Sequence, residues 1–211
     1  MKRSILSSSA MIIATAMFMS CGNAEQQTEE AVVEEAPTEE AGGSQTYTVS
    51  DASMVNWKGT MLGIKSHEGT VAVSDGSVTV ENGALTSGTF TIDMASITPT
   101  DENYDEDNTQ EKLVGHLSSP DFFDVENNPT ASFTVTSANG SDVTGMMNIR
   151  GVENEETFSN VVVTEADGTV TITGDITIDR KIYGAEFDMP VADMVLSDEV
   201  ELAVNVNGAQ M

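Results

Sequence analysis

Fourteen residues, KLVGHLSSPDFFDV from Lys112 to Val125, carry the densest apolar cluster of the chain around one of its two histidines. Leu113, Leu117, Phe122 and Phe123 can only bind by burial, whereas His116 can donate or accept a hydrogen bond. That combination suits a greasy ligand with a polar end, and equally a plug over a core. Covalent chemistry is poorly served. No serine sits in a nucleophile-elbow pattern and no glycine-rich phosphate loop precedes a helix. His67 and His116 are far apart and have no cysteine or histidine neighbours at metal-ligand spacing. The stretch DENYDEDNTQE puts Asp101, Asn103 and Asp105 at the first, third and fifth places of a calcium loop. Glu106 then stands where glycine is needed, and Lys112 where the closing glutamate belongs. We read it as a solvated acidic loop. No catalytic residue, metal site or cofactor is expected, and the chain reads as a binding protein rather than an enzyme.

The elements that must position this cluster read as strands. Phe90, Ile92 and Met94 share one face of TSGTFTIDM; Val143, Gly145, Met147 and Ile149 share one face of VTGMMNIR. Val170, Ile172, Gly174, Ile176 and Ile178 repeat the pattern, as do Val200, Leu202, Val204 and Val206. A period of two rich in Thr and β-branched residues marks half-buried strands. They are predicted over 47–58, 67–73, 77–81, 84–94, 130–137, 142–150, 157–164 and 169–178, with a last one near 198–207. Turn signals separate them at SDGS (74–77), ENG (81–83), ANGSD (138–142) and EADG (165–168). Asn108 followed by Glu111 suggests a capping box for a short helix over 109–117, which Pro120 prevents from continuing. Without alternating β–α units, an antiparallel barrel or sandwich is implied. Gly88, Gly145 and Gly174 inside strands mark bends or close approaches.

The first 46 residues read differently. Lys2 and Arg3, an apolar run from Ala10 to Met19 and small residues before Cys21 describe an export signal over 1–20. The run is shorter than the ~20 residues that span a bilayer. FMS before the only cysteine resembles a bacterial lipobox, with Cys21 the lipidated residue and the membrane a partner through that anchor. An ordinary signal with an incidental cysteine is the other reading. Residues 21–46 hold seven Glu and no Lys, Arg or aromatic residue, the composition of a disordered acidic linker. The chain is thus expected in the bacterial cell envelope. Residues 47–211 form one domain with six basic and 28 acidic side chains, a net charge of −22 that repels nucleic acid. A homodimer is left open.

The domain resembles the YceI-like family of secreted bacterial proteins. The matching stretches run in order: YTVSDASMVNWKGT, GTVAVSDGSV, LTSGTFTIDMASIT, KLVGHLSSPDFFDVENNPTASFTVTS, VTGMMNIRGVENEETF, ITIDRKIYGAEF and LSDEVELAVNV. The resemblance implies an all-β fold: an extended eight-stranded antiparallel lipocalin-like barrel with a short helix in a long loop. It also implies a ligand, a long isoprenoid lipid such as a polyprenyl chain or quinone. In such a barrel the expected ligand-binding wall is Trp57, Phe90, Ile92, Met94, Phe133, Met147 and Ile149, closed by Leu113, His116, Leu117, Phe122 and Phe123. Met54, Met61 and Met146 are further candidates for a compliant lining. A pyrophosphate needs several cationic or N–H donors, and Arg180-Lys181 is the only adjacent basic pair in the domain. A neutral head group is therefore expected. The competing reading is a filled barrel that serves as an interaction module on a tether.

Overall fold

A computed structural model describes residues 43–62, 65–187 and 195–211. The expected export signal, Cys21 and the linker as far as residue 42 lie outside the described residues. The alternating segments form β1 (Ser44–Val49), β2 (Met54–Leu62), β3 (Lys65–Glu81), β4 (Ala84–Pro99), β5 (Thr130–Asn139), β6 (Asp142–Ile149), β7 (Val152–Ala166), β8 (Thr169–Asp179) and β9 (Val195–Gln210). One helix, α1 (Gln110–Ser118), lies between β4 and β5, and a single 3₁₀ turn over Arg180–Tyr183 follows β8.

All pairings are antiparallel and the sheet closes on itself. From β3 the order runs through β2, β9, β8, β7, β6 and β5 to β4, which pairs back onto β3. Closure removes the exposed sheet edges that an open sheet would present. β1 is not a ninth stave. It pairs with Ser77–Glu81 of β3 and Gly208–Gln210 of β9, while β2 pairs with Lys65–Ala72 and Val195–Asn205 of the same two strands. The two occupy one slot, broken over residues 50–53. Buried Ser53 bridges the break: its hydroxyl donates to the Asn207 carbonyl at 3.0 Å and accepts from the Asn207 amide at 2.9 Å. The barrel therefore has eight staves.

Four expectations about boundaries are corrected. The strand expected over 47–58 is two, β1 and β2, because the chain breaks at 50–53 and changes its partner segments on β3 and β9. The turn expected at residues 74–77 is a bulge inside a continuous β3, and its partner register shifts between Val73 and Asp75. Only glycine fits there, since a Cβ on Gly76 would lie 2.4 Å from the Thr89 carbonyl oxygen. The helix cap is Thr109 rather than Asn108, whose side chain bonds Asp105. Strands β4 and β7 extend past the predicted limits to Pro99 and back to Val152.

The two ends of the barrel differ. One end carries tight hairpins. Asn82-Gly83 and Asp167-Gly168 both hold two consecutive positive φ values, as a type I′ turn requires, and Gly140 also has positive φ. The other end carries α1, the loop from residue 100 to 129, the Arg150-Gly151 turn and residues 180–187 after β8. It forms a lid.

Candidate ligand cavity

The inward residues of the staves do not fill the barrel. They surround a cavity of about 410 Å³ walled almost entirely by apolar side chains. Leu196 and Val206 both face it from β9, ten residues apart, so it follows about 30 Å of strand. Tyr47, Val78, Val80 and Val170 close the hairpin end and are almost completely buried.

An aromatic row shapes the middle of the cavity. Phe90 on β4 stacks against Phe133 on β5 at 6.5 Å between centroids, and Phe133 meets Phe158 on β7 edge-on at 5.0 Å. Phe133 and Phe158 belong to strands separated by β6. The ring crosses at Gly145, where a Cβ would stand 2.5 Å from the Phe133 Cζ and 2.5 Å from the Thr134 carbonyl oxygen. Trp57, the only tryptophan, reaches the wall the same way, across Gly69. Its indole N–H donates to the Thr70 carbonyl at 3.4 Å, so the half-buried ring has its polar atom satisfied.

The lid supplies the rest. Leu113 and Leu117, one helical turn apart on α1, face the cavity with His116. Phe122 and Phe123 follow in the turn after the helix and pack edge-on at 4.9 Å. His116 contacts Phe187 edge-on at 4.4 Å and Phe122 at 5.7 Å. The turn is held by Arg150, in the turn between β6 and β7. Its guanidinium donates to the carbonyls of Phe122 at 2.7 Å, Pro120 at 2.8 Å and Gly184 at 2.5 Å. Arg180, 2 % exposed, lies over the Phe122 ring at 5.8 Å, a cation–π distance. It donates to the carbonyls of Ser197 and Ala185 and to the Asp198 carboxylate. Among the described residues no buried side-chain nitrogen or oxygen lacks a partner.

A second fastening ties the start of the long loop to β3. Asp101 accepts from the His67 ring, the amides of Glu68 and Asn103, and the Tyr104 hydroxyl. Burial raises the Asp101 pKa, but these four donors outweigh it and hold the carboxyl below its ordinary value. Burial, then the bond and charge of Asp101, push the Tyr104 phenol up to about 12. Asp105 is likewise occupied by Asn108 and nearby amides. Of the calcium-like positions, Asp101 thus serves the fastening to β3 and Asp105 a local turn.

All twelve side chains singled out for the wall and its closure face this one cavity. Met61 joins them; Met54 and Met146 point away, on the opposite phase of their strands. The sequence reading missed Phe158, Tyr183 and Phe187 and gave Arg180 no structural place. The alternation of NEETFSN contained the signal for Phe158. The others arrive from the segment after β8, which has no periodicity to read.

The family model described as a YceI-like domain matches residues 47–208. A UPF0312 protein of Pseudomonas aeruginosa strain LESB58 is 34 % identical over 102 residues, covering 44 % of this chain and 51 % of the relative. A UPF0312 protein of Staphylococcus aureus strain MSSA476 is 37 % identical over 81 residues, 35 % of this chain and 46 % of the relative. The chain thus spans about half the length of the curated relatives it matches. Among solved structures, Burkholderia cenocepacia BcnA superposes with a TM-score of 0.59 at 24 % identity, over 75 % of this chain and 98 % of that one. A polyisoprenoid binding domain from Saccharophagus degradans superposes with a TM-score of 0.55 at 14 % identity, over 79 % and 99 %. At these identities the likeness carries the fold.

Proposed function

The chain belongs to the YceI-like family, and from that premise we propose that it binds one long isoprenoid-type lipid, a quinone or polyprenyl chain, inside the barrel. The observation that carries the reading is the cavity: apolar along its length, closed at the hairpin end and covered by the lid at the other. A filled barrel would have no such space. Burial is the whole mechanism. Each CH₂ taken from water contributes about 0.8 kcal/mol, so a tail needs no polar contact to be held. The likeness in fold to a polyisoprenoid binding domain of Saccharophagus degradans supports the same ligand class.

The proposal is of a carrier or sequestering protein without catalytic activity, exported and anchored in the cell envelope through lipid on Cys21. The support for that location is the N-terminal sequence. β1 begins with Ser44 opposite Glu81, at the hairpin end of the barrel. Incorporation of labelled fatty acid into the wild-type chain, lost in Cys21→Ser, tests the anchor. Quenching of Trp57 fluorescence by added polyprenyl quinone tests the cavity. Saturation near one lipid per chain is expected; no change at saturating lipid would contradict the reading.

A further inference from the structure

The polar groups that border the cavity are nearly all committed elsewhere. The Arg180 guanidinium is taken up by Ser197, Ala185 and Asp198. Lys65 donates to the Asn103 carbonyl at 3.1 Å. His67 is bonded to Asp101 at 3.1 Å and stacked on Tyr104. The Tyr183 hydroxyl donates to Glu156 at 2.7 Å, and the Ser197 hydroxyl accepts from the Glu199 amide. Ser132 lies on the opposite strand phase from its buried neighbours Ala131 and Phe133.

His116 is the exception. It faces the cavity from α1, and its described contacts are the edges and faces of Phe122 and Phe187. Its ring nitrogens make no hydrogen bond among the described residues. An imidazole offers one donor and one acceptor when neutral. A phosphate, by contrast, is held by several charged or N–H donors, and here the neighbouring cations are tied up. The inward Glu156 carboxylate and the acidic loop of Glu102, Asp105, Glu106 and Asp107 add negative charge at the same end.

We propose that His116 reads the head group of the ligand, selecting isoprenoid lipids that end in a neutral hydrogen-bonding group over those that end in a phosphate. This rests on the carrier reading above and adds the chemistry of the ligand's polar end. The tail supplies affinity and His116 supplies the choice.

The test uses the full chain and three ligands with similar tails: geranylgeraniol, geranylgeranyl monophosphate and the hydrocarbon phytane. Binding is read from Trp57 fluorescence at pH 8. The alcohol is expected to bind at least tenfold tighter than the monophosphate. It should also bind about fivefold tighter than the hydrocarbon, the value of one ordinary hydrogen bond. In His116→Phe, which keeps a ring against Phe122 and Phe187, the alcohol-to-hydrocarbon ratio should fall to near one. Monophosphate binding as tight as the alcohol would overturn the selection. An unchanged ratio in His116→Phe would overturn the role of the residue. Binding of none of the three, hydrocarbon included, would overturn the carrier reading itself and this inference with it.

Discussion

Arg150 donates a 2.7 Å hydrogen bond to the main-chain carbonyl of Phe122, across 28 positions of sequence, and so fixes the lid from the turn between β6 and β7. The bond has an unusual root. Arg150 itself holds a positive φ of 55°, the first half of an Arg-Gly type I′ turn where Asn or Asp is the ordinary choice. A left-handed backbone is costly for a long side chain. Here that conformation goes with a guanidinium that meets three carbonyls at once.

Arg150→Ala should therefore loosen the lid more than it unfolds the barrel. Loss of the charged donor is expected to cost about 1.5–3 kcal/mol locally. Hydrogen exchange at residues 119–125 should accelerate while β8 stays protected. Arg150→Lys should rescue little, because an ammonium cannot present the planar fork. Equal acceleration across all staves would show that the residue supports the whole fold.

Gly145 makes room for the Phe133 ring. Gly145→Ala is expected to destabilise the barrel by about 1–3 kcal/mol through overpacking. Combining it with Phe133→Leu should recover part of the loss, since the two sites are in contact and will not be additive. Urea denaturation of the single and double variants measures the coupling, and strict additivity would contradict the contact.

Filling the cavity should separate folding from binding. Val204 faces the cavity from β9 and is only half-buried. Val204→Trp should preserve the far-UV circular dichroism of the barrel and weaken lipid binding by tenfold or more, read by solvent extraction of lipid that co-purifies. A variant that folds and carries lipid as the wild type does would deny that the cavity is the binding site.

Each of the three tyrosines hydrogen-bonds a carboxylate: Tyr47 with Glu165, Tyr104 with Asp101 and Tyr183 with Glu156. The bond to Glu165, then burial, raises Tyr47; burial, then the partner carboxylate, raises Tyr104 to about 12 and Tyr183 still further. Folded values above the unfolded ones mean that this stabilisation is complete below about pH 10. It is lost as pH climbs through the folded values. Ultraviolet titration of the folded protein should show tyrosinate forming above the pH 10 of free tyrosine, Tyr104 at about 12, and three tyrosines titrating together at pH 10 would contradict the pairings.

Much of this architecture was legible in the sequence because a half-buried stave announces itself by alternation. Phe90, Ile92 and Met94, or Val143, Met147 and Ile149, could be assigned to one face before any fold was known. The apolar cluster from Leu113 to Phe123 was legible as a cover for the same reason: it had no other surface to bury against. What stayed hidden depends on contacts that are distant in sequence. The SDGS stretch has the composition of a turn, yet the neighbouring β4 holds it in one long strand around the Gly76 bulge. Arg180 was legible only as half of the one adjacent basic pair; its enclosure by Ser197, Ala185 and Asp198 was not. Arg150 gave no turn signal, since the carbonyls it bonds come from the lid turn and the segment after β8, both remote in sequence.

The most direct test of the account is native mass spectrometry of the protein purified from a bacterial host without detergent, followed by solvent extraction. The account predicts a bound isoprenoid-type lipid near one per chain, released on unfolding and identified as a neutral-headed species. A clean ligand-free mass, with no uptake of added polyprenyl quinone or alcohol, would contradict it and leave the lid and its phenylalanines as parts of an empty barrel.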